Sequence, residues 1–150
     1  MIEINNLTSV EIDLNFLKKI AEEILKEERK EKEGISIALV GPARIKRLNR
    51  EYRGKNRVTD VLSFPNREIM FEEFQFKEIE KIEGLGEVII CLREVRKRAK
   101  RFKETFEKEL ARVLIHGILH LLGYNHEKNK EKARLMEEKE NYYLSKIFQK

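Results

Sequence analysis

Much of what would mark a secreted, membrane-bound or low-complexity protein is missing from this 150-residue chain. A single cysteine, Cys91, has no partner, so no disulfide framework is available and a reducing, cytoplasmic compartment is expected. Proline (two) and glycine (seven) are scarce, which points to amphipathic helix and away from low-complexity sequence. No apolar run approaches the length of a membrane span. The opening M-I-E-I-N lacks a basic segment followed by an apolar one, so no secretory signal is expected. Histidine is also rare: there are three, and all lie between His116 and His126.

What is present is a chain 41% hydrophobic and 39% charged, the balance of a globular protein. Its length suits a single domain over residues 1–150 with a sizeable core. The net charge of +5 favours an anionic partner, although many basic proteins bind no nucleic acid.

The three histidines carry the sharpest chemical signal. They read H-x3-H-x5-H within V-L-I-H-G-I-L-H-L-L-G-Y-N-H, Val113 to His126. Four helical residues turn through about 400°, so His116 and His120 stand about 40° apart around the axis and roughly 6 Å apart along it. Both imidazoles leave one face, close enough to share an ion. Gly123 is placed to end the helix, after which the chain can fold back and offer His126. Three neutral nitrogens and an open fourth position describe a catalytic metal site, with zinc the default ion. The glutamate that zinc peptidases place after the first histidine of H-E-x-x-H is absent, and Gly117 stands there.

Taken in order, the pattern predicts strands at Ile2–Leu7, Ile35–Val40, Val58–Phe64 and Glu87–Leu92. Asp13 is placed to cap a first helix striped by Leu14, Leu17, Ala21, Ile24 and Leu25. The charged stretch Glu27 to Glu33 reads as that helix's solvated end. A second helix starts at Pro42 and stops at Gly54. Arg53, Lys55 and Arg57 then form a basic loop. An arginine there can clamp a phosphate, but on the residues alone an exposed surface cation is the simpler account. Residues 66–83 read as either a helical turn or a hairpin flap. Glu87 is either a carboxylate facing the site or, more simply, an exposed strand start. Arg93 to Phe106 carries seven Lys and Arg residues around a stripe of Leu92, Val95, Ala99 and Phe102. That basic face either contacts RNA phosphates or is merely solvated. The histidine helix is apolar nearly all round, hence buried. A last helix follows an Asn129 cap.

Three stretches together resemble the YbeY family of bacterial metal-dependent endoribonucleases. They are H-G-I-L-H-L-L-G-Y-N-H (His116 to His126), L-N-R-E-Y-R-G-K-N-R-V-T-D-V-L-S-F-P (Leu48 to Pro65) and L-G-E-V-I-I-C (Leu85 to Cys91). The likeness runs along nearly the whole chain. It implies an α+β fold, a small mixed four-stranded sheet covered by about five helices, with the metal site on one buried helix and the following loop. It implies that His116, His120 and His126 are the metal ligands and that Arg53 is the catalytic arginine that meets the RNA phosphate. It further implies single-stranded RNA as substrate, a role at the 3′ end of small-subunit ribosomal RNA and in ribosome quality control, and the small ribosomal subunit as partner. Two positions depart from the family pattern: Asn125 stands where aspartate usually precedes the third histidine, and Glu87 where many members have aspartate. Two other functions fit the residues less well. One is a non-catalytic ribosome assembly factor with a structural metal, the other a metal-dependent hydrolase of a different substrate.

Overall fold

A computed structural model of the chain describes residues 1–66, 84–124 and 129–148. The elements run β1 (Ile2–Asn6), α1 (Leu14–Glu27), β2 (Ile35–Val40), α2 (Pro42–Arg53), β3 (Val61–Pro65), β4 (Gly86–Cys91), α3 (Leu92–Arg101), α4 (Phe106–Leu121) and α5 (Lys130–Ile147). The architecture is α+β, a four-stranded mixed sheet with five helices among the described residues. Strand order is β1-β2-β4-β3; β1, β2 and β4 are parallel, and β3 joins β4 antiparallel at the edge.

Strand alternation divides the interior in two. Val88 and Ile90 face a large core shared with α1, α3, α4 and α5, while Ile89 and Cys91 face a smaller one filled by Ile45 and Leu48 of α2. Helix α4 runs through the large core, with Leu114, Ile115, Ile118 and Leu119 fully buried. Each such side chain is worth about 1.5–3 kcal/mol by burial, so α4 is fixed by packing far more than by helix propensity. Local signals set the helix ends. The Asp13 carboxylate accepts from the Asn15 and Phe16 amides at 3.1 and 3.3 Å. The Thr105 hydroxyl accepts from Lys108 at 3.1 Å, and Asn129 Oδ1 from Lys132 at 2.8 Å. Gly54 (φ +71°) and Gly123 (φ +99°) take the left-handed conformation that stops α2 and α4. No helix among the described residues is long and apolar enough to cross a membrane.

Several expectations need correction. The third strand begins at Val61, not Val58. Residues 54–60 instead form a connection held by an Asn49 Nδ2 bond to the Arg57 carbonyl and a Cys91 amide bond to the Asp60 carbonyl. Arg53 is the last residue of α2 rather than part of a loop. Glu87 is 1% exposed, against the expected exposed strand start. β4 lies between β2 and β3 with helices on both faces, so all six of its residues are buried. Phe102 is 54% exposed: α3 ends at Arg101, and the turn carries the ring out of the stripe, 5.3 Å beneath the Arg98 guanidinium. The flap expected at 66–83 lies, beyond Asn66, outside the described residues.

Candidate functional site

His116 and His120 sit one turn apart on α4. Their Nε2 atoms are 3.1 Å apart and their ring planes meet at 73°. Two imidazole nitrogens at about 2.0–2.1 Å from one tetrahedral zinc stand about 3.3 Å apart, so the pair fits a shared ion. On the far side of the ring, His116 Nδ1 is 3.0 Å from Glu140 Oε1 of α5. An ionised carboxylate only accepts, so Nδ1–H donates, which in a neutral imidazole leaves the lone pair on Nε2. Among the described residues no group of three or more His, Cys, Asp and Glu side chains gathers for a metal. His126 and Asn125 lie outside the described residues.

The glycine after His116 has a packing reason. A Cβ on Gly117 would stand 2.6 Å from Val88 Cγ1 and 3.3 Å from Ser63 Oγ, so the close approach of α4 to β3 and β4 leaves no room for a side chain here. Ser63 Oγ donates to the Gly117 carbonyl at 3.0 Å. The Ser63 carbonyl, on the edge strand, accepts from Arg53 Nη2 at 2.6 Å, and the Arg53 guanidinium lies 5.0 Å from the centre of the Phe64 ring. One residue thus bonds both to Arg53 and to the neighbour of His116.

N-terminal to His116, Glu109 is 2% exposed and ion-paired with Arg98 (3.0 Å) and Arg112 (3.4 Å). Arg98 also reaches Asp60 at 3.5 Å. A cavity of about 250 Å³ lies among Asp60, Arg98, Arg112, His116 and Glu140. Arg98 therefore leaves the basic face of α3, whereas Arg93, Arg96, Lys97, Lys100 and Arg101 stay exposed.

Glu28, at the end of α1 in the stretch expected to be solvated, instead accepts from Tyr124 (2.9 Å), Lys139 (3.0 Å) and the buried Tyr143. Burial alone would raise its carboxyl pKa, but the bonds from Tyr143, Lys139 and Tyr124 outweigh it and hold the pKa below the ordinary range. The same burial and the Glu28 bond push the Tyr143 phenol well up.

Sequence reasoning singles out His116, His120, His126 and Arg53 and passes over Ser63, Glu109, Glu28 and Glu140. Glu140 did leave a trace: it takes the slot between Met136 and Leu144 on the buried face of α5, four residues from each.

Residues 3–148 match the family model described as Endoribonuclease YbeY. An Endoribonuclease YbeY of Sulfurihydrogenibium sp. (strain YO3AOP1) is 42% identical over 139 residues, 93% of this chain and 86% of that protein. One from Thermotoga maritima is 39% identical over 135 residues, covering 90% and 81%. A solution structure of a Thermotoga maritima protein superposes with a TM-score of 0.68 at 38% identity over 99% of this chain and 89% of that one. The chain belongs to the YbeY family.

Proposed function

We propose that this protein is a metal-dependent endoribonuclease that cuts single-stranded RNA, with His116, His120 and His126 holding one divalent ion, zinc by default. The observation that carries the reading is the 3.1 Å approach of the two Nε2 atoms in a chain whose relatives are named endoribonucleases. When bound, the ion supplies Lewis acidity and a water of lowered pKa. The protein's own groups do the rest. Arg53, its guanidinium braced by the Ser63 carbonyl and the Phe64 ring, presents a fixed cationic fork to the phosphate and stabilises the charge that grows there. The exposed cations of α3 hold flanking phosphates in a salt-sensitive, largely sequence-blind manner. Sequence choice then comes from RNA shape or from the small ribosomal subunit, and the family likeness favours the 3′ end of small-subunit ribosomal RNA and ribosome quality control, in the cytoplasm.

Metal content and RNA cleavage measured together on wild type and Arg53→Ala test this. Stoichiometric metal in both, with cleavage lost only in the variant, supports the reading. Equal cleavage by both indicates a contaminating nuclease and turns the reading toward an assembly factor with a structural metal. Cleavage of an unstructured protein such as casein, with RNA intact, would identify a hydrolase of another substrate. Gly117 and the basic face of α3 argue against that outcome.

A further inference from the structure

We propose that Glu140 is a positioning residue for the metal centre: its carboxylate holds the His116 ring in the tautomer and orientation that aim Nε2 at the ion. The inference rests on the metal reading above. Glu140 Oε1 lies 3.0 Å from His116 Nδ1, on the side of the ring opposite the nitrogen that faces His120. A carboxylate behind a ligand raises its basicity and fixes its rotation. Oε1 thus lies behind the ligand, on the side of the ring away from Nε2.

Glu140 is itself braced. It stands on α5 between the buried Met136 and Leu144, and its neighbours Lys139 and Tyr143 both bond to Glu28 at the end of α1. Lys139 and Tyr143 therefore tie α5 to the end of α1 independently of the His116–Glu140 bond. The carboxylate occupies a slot on the core-facing stripe, where an apolar side chain would be the ordinary choice. Side-chain exposure of 28% for His116 and 21% for Glu140 leaves the pair partly shielded from water, so the bond holds the ring more firmly than an exposed pair would.

The test is zinc(II) affinity by competition with a chromophoric chelator, together with the visible spectrum of the cobalt(II) form, for wild type, Glu140→Gln, Glu140→Ala and His120→Ala. Melting of each metal-free protein in EDTA is recorded alongside. Glu140→Ala is expected to bind zinc about 10- to 100-fold more weakly, the range for loss of such a partner. Glu140→Gln keeps an acceptor oxygen for Nδ1–H and should retain most of the affinity, with an altered cobalt spectrum. A purely structural tie would lower the metal-free melting temperature and leave affinity per folded molecule unchanged. If both Glu140 variants bind zinc like wild type while His120→Ala does not, the positioning role is overturned and the metal centre stands. If wild type binds no zinc or cobalt, both fall together.

Discussion

Gly117→Ala isolates the contact that seats the histidine helix on the sheet. Alanine is the better helix former by about 1 kcal/mol, so on propensity alone the variant should be more stable. Its new Cβ, however, would lie 2.6 Å from Val88 Cγ1, about 1 Å inside the ordinary carbon–carbon separation of roughly 3.5–4.0 Å. Val88 is fully buried in the central strand and has little room to turn away, and the 3.3 Å approach to Ser63 Oγ closes the other side. Overpacking of this kind costs about 1–3 kcal/mol, leaving a net loss of about 0–2 kcal/mol. The single variant is therefore a weak discriminator, and a double-mutant cycle with Val88→Ala is decisive. Helix propensity cancels in the cycle, and removal of both Val88 methyls removes the clash. The coupling should be about 1–3 kcal/mol, with the double variant more stable than the sum of its parents. Urea denaturation at neutral pH measures all four corners. A coupling within about 0.5 kcal/mol of zero, or a Gly117→Ala protein stabilised by the full propensity gain, refutes the argument that the sheet excludes a side chain at this residue.

Further predictions follow from the surrounding contacts. Glu28→Gln should cost about 1–3 kcal/mol at pH 7, because three donors including the buried Tyr143 lose a charged acceptor. The native pKa of Glu28 is depressed below the ordinary 4.5. The difference from wild type should therefore be constant above that value and shrink as pH falls through the lower native pKa; a gap that persists unchanged into strong acid would contradict it. Arg98→Ala and Arg101→Ala should separate fold from binding. Loss of Arg98 strips the buried Glu109 of a partner and lowers the melting temperature, whereas loss of Arg101 leaves stability alone and, on the proposed reading, reduces the salt slope of single-stranded RNA binding by about 0.7. Chelation, or His120→Ala, should abolish RNA cleavage in a time course restored by zinc only for wild type; cleavage that survives full metal removal sinks the mechanism.

The parts legible in the sequence are those set by short-range periodicity. The 3.6-residue repeat brings His116 and His120 together, and the caps at Asp13, Thr105 and Asn129 follow from side chains that reach an amide three residues on. The sequence reading names Asp13 and Asn129 as caps; Thr105 follows the same rule. The exposed strand start expected of Glu87 fails because burial of a strand's charged residue depends on whether the strand is central, and the order β1-β2-β4-β3 is not written in any local window. Glu28 looked solvated because its three partners lie 96 to 115 residues further on. The His116–Glu140 bond spans 24 residues across two helices and left only the faint mark of a charge on an apolar stripe.

Gly117 shows how such long-range constraints reach the chemistry. In H-E-x-x-H enzymes the residue after the first histidine supplies the base. Here the same helical position faces β3 and β4, where Val88 and Ser63 already fill the space a side chain would occupy. A glutamate does not fit the packing of α4 at this residue: Gly117→Glu would drive a carboxylate into the sheet, costing several kcal/mol. Glu140 Oε1 is engaged with Nδ1 behind His116. On the proposed reading, then, the residue after His116 supplies no proton acceptor for water. On that reading Arg53, joined to the same stretch of α4 through Ser63, is the charged group that acts on the phosphate. On the proposed reading, Arg53 contributes electrostatic stabilisation of the phosphate.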